Sequence, residues 1–161
     1  MRYKYGVFIG FGSFLFLISC VTQLPVQKQD KPSDVYKEYI SSLSNSSDED
    51  LLMKYWSRAR VAEGIDILAD DSENNKRNKN AIIFSIRFSS EMNNILSMEQ
   101  DIKGNTACLL VTGATDTEKK LIINIPYLLE NNAWKINEVF VKYLEDNQLV
   151  PTKPNCTMGI P

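Results

Sequence analysis

The chain contains no histidine, so proton transfer near neutral pH would fall to carboxylates. Glu99, Asp101 and Glu138 stand in or beside apolar, strand-like stretches. A carboxylate acting as general base needs a buried site that raises its pKa, and each of these has an ordinary surface reading. Glu99 and Asp101 share one face of a short alternating segment, and Glu138 sits beside an interruption in another. No Gly-x-Ser-x-Gly elbow, glycine-rich phosphate loop or paired-carboxylate signature is present. No catalytic residue is expected; the alternative is an isomerase-like reaction using Asp101 or Glu138. Asp66, Asp70, Asp71 and Glu73 invite a calcium site, but the glycine and closing glutamate of an EF-hand loop are missing. A surface loop explains them better. With no histidine and no Cys-x-x-Cys, no metal and no cofactor is expected.

The remaining reactive side chains are Cys20, Cys108 and Cys156. Cys20 ends an apolar run, FLFLISC, near the start of the chain. Arg2 and Lys4 precede Gly6–Ser19, which carries no charge, and Gln23 and Pro25 close the run before a membrane span is reached. Leu17-Ile18-Ser19-Cys20 resembles the bacterial lipobox. That resemblance implies cleavage before Cys20, a diacylglycerol on its thiol and an acyl chain on its new amine, enough for stable anchoring. An ordinary signal peptide or a core cysteine is the plainer reading. Residue 21 is Val rather than Asp, which by the same resemblance favours the outer membrane facing the periplasm in a diderm host. A monoderm host would place the protein on the outside of its single membrane.

Loss of residues 1–19 removes Arg2 and Lys4, leaving about 142 residues with a net charge near −4, the size of one domain. Mild acidity and the absence of a basic cluster argue against nucleic acid as a partner. The short basic run Lys76-Arg77-Asn78-Lys79 lies among asparagines and reads as a solvated loop. Once Cys20 is lipid-linked, Cys108 and Cys156 are an even pair in an oxidising compartment, where a disulfide is expected. Two buried free thiols are the alternative.

Four segments follow: a signal peptide over 1–19, a lipidated cysteine and polar tether over 20–32, a folded domain over 33–146 and a tail over 147–161. Ser33 can cap a helix carrying Val35, Tyr39, Ile40 and Leu43 on one stripe. Ser47 and Asp50 stand in capping-box positions for a second helix with Leu51, Leu52, Tyr55, Trp56 and Ala59 inward, extending toward Ile65 and Leu68 unless Gly64 breaks it. Asp70–Asn80 reads as a loop. Ala81–Leu96 reads as a helix, because Phe84, Phe88, Met92 and Ile95 keep the helical period, although Ile82-Ile83-Phe84 is strand-like. Strands follow over Met98–Ile102, Thr106–Thr112 and Lys120–Leu129. Gly104-Asn105 and Gly113–Lys119 connect them, and Pro126 suggests an edge or a bulge. After a turn at Glu130-Asn131-Asn132, Ala133–Leu144 is a last strand with a bulge near Asn137-Glu138. The expected fold class is α+β, with N-terminal helices on one face of a curved antiparallel sheet.

The ending LLENNAWKINEVFV resembles the last hairpin of the nuclear transport factor two-like family, and SDVYKEYISSL resembles the opening helix of that family. The resemblance covers Pro32 to Leu144 and implies a cone-shaped α+β roll. Its wall would be Tyr36, Tyr39, Tyr55, Trp56, Phe84, Phe88, Tyr127 and Trp134. If the cone is open, Tyr36, Trp56, Phe88, Tyr127 and Trp134 would line a site for a small apolar ligand. If it is filled, which is the favoured reading, the working surface is a sheet face or edge. The expected function is then a membrane-anchored, non-catalytic domain that contacts another protein of the cell envelope.

Overall fold

A proline at the first position of a helix gives up only an N–H that would have had no helical partner. In the computed structural model, which describes residues 30–157, the first helix, α1 (Pro32–Ser42), opens in this way. Ser33, expected as its cap, lies one position inside. Its N–H instead donates to the Gln100 Oε1 at 3.2 Å and ties the helix to the sheet. α2 (Asp48–Tyr55) starts as its sequence dictates: the Ser47 Oγ accepts from the Asp50 N–H at 3.1 Å.

Two boundaries differ from expectation. The second helix breaks at Trp56-Ser57, not at Gly64, and resumes as α3 (Arg58–Ala69). Trp56 and Ser57 are extended there because the Ser57 N–H donates to the Ile136 carbonyl at 2.8 Å, a long-range bond no local pattern announces. Gly64 sits within α3, where a Cβ would stand 2.6 Å from the Leu52 Cδ2, so the glycine lets the two helices approach. The second difference covers residues 70–96. After a 3-10 turn (Glu73–Asn75), α4 spans Lys76–Ile86, so half of the expected loop is helical. The expected helix over Ala81–Leu96 ends at Ile86. A second 3-10 turn (Phe88–Glu91) follows, and the chain is a strand from Asn94. Arg87 accounts for the stop. Its guanidinium reaches the Leu43 carbonyl (2.7 Å), the Ser46 carbonyl (3.1 Å) and the Asp48 carboxylate (2.5 Å), which fixes the end of α4 against the α1–α2 connection.

Five antiparallel strands form one open sheet: β1 (Asn94–Lys103), β2 (Thr106–Ala114), β3 (Lys120–Glu130), β4 (Ala133–Ile136) and β5 (Phe140–Tyr143). β1, β2 and β3 are neighbours in that order, and β4 and β5 both pair with the far side of β3. Gly104 at φ 59° turns β1 into β2, and Asn131 and Asn132, both at positive φ, make the two-residue turn into β4. Gly113, expected in a loop, belongs to β2. A Cβ there would lie 2.4 Å from the Asn94 carbonyl oxygen and 2.7 Å from the Met92 side chain. β3 is an inner strand, so Pro126 is not at a sheet edge. It pairs with Cys108 on one side and, on the other, falls in the gap between β4 and β5, so its missing N–H breaks no ladder. The interruption expected near Asn137-Glu138 is this same gap, and the Asn137 N–H donates to the Pro126 carbonyl at 2.8 Å.

The helices cover one face of the sheet. Leu109, Val111, Leu121, Ile123, Ile125 and Tyr127 point into that layer and pack with Tyr36, Tyr39, Leu51, Leu52, Ile86 and Phe88. On the opposite face Leu110, Ile122 and Asn124 are also buried. The C-terminal tail lies on this second face: the Asn155 N–H donates to the Asn124 Oδ1 at 2.9 Å, and Cys156 is joined to Cys108. The architecture is α+β, helices on an open antiparallel sheet.

Candidate functional site

The five aromatic residues singled out from the sequence come from five different places. Tyr36 is on α1, Trp56 follows α2, Phe88 opens the second 3-10 turn, Tyr127 is on β3 and Trp134 on β4. All five enter one core cluster, none more than 5% exposed. Tyr36 and Tyr39 are three residues apart, hence on one helix face, and the Phe88 ring lies against both. Its centroid is 5.4 Å from Tyr39 in a stacked pair and 6.3 Å from Tyr36. Tyr55 meets Tyr39 edge-on at 5.3 Å. Phe84, expected in the same wall, is half exposed on α4 because that helix turns its other side to the core.

This interior is apolar apart from a few hydroxyls and the Trp56 indole N–H, which is buried without a hydrogen-bond partner. The Tyr39 and Tyr127 phenols are buried with no hydrogen-bond partner within the protein, and the buried Tyr36 phenol has the Ser89 hydroxyl as its neighbour. Burial pushes the Tyr36 phenol up to about 12, the neighbouring Ser89 hydroxyl pulling the other way. Burial also raises Tyr39 and Tyr127, and repulsion from the other phenols adds to it, Tyr36 on both and Tyr39 on Tyr127. All three therefore stay neutral at physiological pH and keep their protons as donors. A buried hydroxyl without a partner costs about 1–3 kcal/mol. Ser89, two residues beyond Arg87, was not legible as a neighbour of this core; only the packing of the second 3-10 turn brings it to Tyr36.

The candidate carboxylates do not converge. Glu99 and Asp101 are exposed on β1, paired with Leu110 and Cys108 on the side away from the helices, and Asp101 makes a 2.8 Å ion pair with Lys103. Glu138 lies at the opposite side of the sheet, between β4 and β5, half buried and paired with Arg60. The Arg60 Nε donates to the Asn137 carbonyl at 2.9 Å and its Nη1 to Glu63 at 2.9 Å, so Glu138 is held by a charge. Arg60 was not singled out in the sequence, and its long-range partners explain why. Among the described residues, no group of three or more Cys, Asp or Glu side chains is placed to hold a metal ion.

Clefts open at the surface around this core. One of about 110 Å³ sits between α2, α3 and α4, beside Trp56, Arg60, Ile82, Ser85 and Glu138. It is smaller than the roughly 300–1,000 Å³ of a typical small-molecule site. A wider cleft of about 820 Å³ opens at the end of the sheet and is lined chiefly by polar groups, among them Glu91, Asn93, Asp116, Lys119 and Glu145. Tyr143 donates to Glu91 and Asn93 to Asp116 across it.

The Cys108 and Cys156 sulfurs stand at disulfide distance, 1.99 Å, with Cα atoms 5.8 Å apart, and they join the tail to an inner strand. Cys20 and the rest of the Leu17-Ile18-Ser19-Cys20 motif lie outside the described residues. The described chain is thus an α+β domain with a filled aromatic core and a pinned C-terminal tail. No family model, no curated protein and no solved structure matches it.

Proposed function

We propose that this chain is a lipid-anchored protein of the bacterial cell envelope whose domain acts by contact with another envelope component, without catalysis. Leu17-Ile18-Ser19-Cys20, behind a basic start and an uncharged run, supports lipidation at Cys20. The order of helices followed by antiparallel strands supports a nuclear transport factor two-like roll. The observation that carries the functional reading is the burial of Tyr36, Trp56, Phe88, Tyr127 and Trp134. The residues that would line an open cone are at most 5% exposed and belong to one packed core, which supports a filled interior over an open ligand cavity. The separation of Glu99 and Asp101 from Glu138 across the sheet supports a domain without paired carboxylates.

The anchor is tested by intact mass of protein extracted from membranes, which should show loss of residues 1–19 and gain of diacylglycerol and an acyl chain. Cys20→Ala should release or arrest the protein; an uncleaved N-terminus with unchanged anchoring would defeat the anchor. The contact role is tested by photocrosslinking in the native envelope, which should give a defined protein adduct. Lipid-tethered monomer alone, with an apolar compound co-purifying in the domain, would replace contact with carriage.

A further inference from the structure

We propose that the outer edge of β1 is a docking strand for an extended, basic segment of another envelope protein. The segment joins the sheet beside β1 and sets lysine or arginine against Glu99 and Asp101; this surface rests on the contact role proposed above and gives it a place. β1 ends the strand order, with β2 on one side only. Lys103 and Thr106 flank a two-residue turn and so exchange both of their backbone hydrogen bonds. The register is unbroken from there back to Ser97. Ser97, Glu99, Asp101 and Lys103 therefore bond to β2, while Met98, Gln100 and Ile102 aim their N–H and C=O groups away from it. Among the described residues, no backbone hydrogen bond from another part of the chain reaches those outward groups. They offer roughly 20 Å of open ladder. The opposite edge is unlike this one, because β4 and β5 have four residues each and are separated by the gap opposite Pro126.

Charge decides what can fill that edge. Glu99 and Asp101 are exposed on the sheet face away from the helices, where Lys103 is ion-paired with Asp101. In a twofold dimer of this chain, an antiparallel β1–β1 pair centred on Gln100 sets Glu99 against Asp101. Centred on Glu99 or Asp101, it sets two identical carboxylates opposite one another, and like charges so placed destabilise a sheet. Centred on Met98, it meets the irregularity between Ile95 and Ser97 at both ends. Centred on Ile102, it matches Asp101 with Lys103 but runs at once into the turn at Gly104. The two acids thus keep copies of this chain from joining edge to edge. A partner strand with lysine or arginine at two alternate positions reverses the sign and gains from both carboxylates, while the backbone ladder supplies the rest of the affinity. Ile102, 45% exposed, lies on the other face of the same edge and gives an apolar contact to the alternate residues of that strand.

The test reads amide hydrogen exchange in the full chain, held in detergent, with a short peptide of alternating lysine and valine as the probe. The control peptide carries glutamate in place of lysine. In the free protein the Met98, Gln100 and Ile102 amides should exchange fast, and the Glu99 and Asp101 amides, bonded to β2, slowly. The lysine peptide should slow the three fast amides by about tenfold or more, and the glutamate peptide should leave them unchanged. The double variant Glu99→Lys, Asp101→Lys, altered only at exposed positions, should exchange the two preferences. Slow exchange at the three amides in the free chain would mean that the edge is already filled, and overturns the proposal. Protection that is absent, or equal with both peptides, also overturns it. Photocrosslinkers placed at Ile102 and, one at a time, at exposed positions of the helices and the tail separate this surface from the contact role itself. A protein adduct from Ile102 in the native envelope that the charge-reversed variant loses supports the edge, and one that persists in that variant overturns it. Adducts from the other positions alone keep the contact role and remove the edge; adducts from none remove both.

Discussion

Arg87 and Asp48, 39 residues apart, meet at 2.5 Å, the Arg87 Nε donating to the Asp48 Oδ1. The same guanidinium satisfies two carbonyls, of Leu43 and Ser46, at the end of α1 and in the turn beyond it. One side chain thus joins the end of α4 to the corner between the first two helices. Its exposure of 34%, against 26% for Asp48, places the pair between a surface and a buried salt bridge.

The two partners should therefore differ on removal. Arg87→Gln should destabilise the domain by about 2–3 kcal/mol, because it strands two carbonyls and a carboxylate. Asp48→Asn should cost about 1 kcal/mol, since Arg87 keeps its carbonyl bonds. Equilibrium urea unfolding at unchanged m-value checks both, and an equal loss in the two variants would show that the carbonyl contacts contribute nothing.

Gly64 and Gly113 should respond differently to alanine. At Gly64 the obstructing atoms are the ends of the Leu52 side chain, which can rotate, and alanine favours the helix by about 1 kcal/mol. At Gly113 the nearest obstruction is the Asn94 backbone oxygen at 2.4 Å, which cannot move without disturbing the β1–β2 pairing. Gly64→Ala is expected to melt within a few degrees of the parent, and Gly113→Ala to lose at least about 2 kcal/mol. Paired thermal melts decide it.

The tyrosines set an alkaline limit. Tyr36, Tyr39 and Tyr127 have raised pKa values when folded, against 10.0 for the free group. Above pH 10 the unfolded chain releases protons that the folded chain retains, so stability is complete below that pH and falls as pH rises. Three such groups give a slope of about 4 kcal/mol per pH unit. Phenolate absorbance should rise in two stages, exposed tyrosines first and the buried three together with loss of far-ultraviolet circular dichroism. A smooth titration of all the phenols with the fold intact would show that the interior admits hydroxide.

The disulfide should matter to the tail and to the whole domain. Closing a 48-residue separation restricts the unfolded chain enough to stabilise the fold by about 4 kcal/mol on the chain-entropy model. Cys156→Ala should lower stability by no more than that. Hydrogen exchange at the Asn155 amide, bonded to Asn124, should become fast while the β2 and β3 amides stay protected. Protection of Asn155 that survives the substitution would mean that the tail holds to the sheet without its covalent link.

What the sequence determined was whatever depends on near neighbours. The Ser47–Asp50 cap, the Asn131-Asn132 turn and the apolar runs of β2 and β3 are set by residues a few positions apart, and they appear where the pattern puts them. The helix-then-strand order that gives the α+β class follows from the same local periodicities. The helix break at Trp56-Ser57 and the stop at Arg87 depend instead on partners 39 to 80 residues away, and the early start of β1 on Ala114, 20 residues on. Apolar spacing alone carried the expected helix through Met92 and Ile95, because it registers which residues avoid water and not which backbone groups find distant partners. The site shows the same division. Burial of Tyr36, Trp56, Phe88, Tyr127 and Trp134 was legible because large apolar rings must leave water. The approach of Ser89 to Tyr36, and the separation of Glu138 from Asp101, came only with the tertiary structure, which alone sets how a helix face is aimed across a sheet.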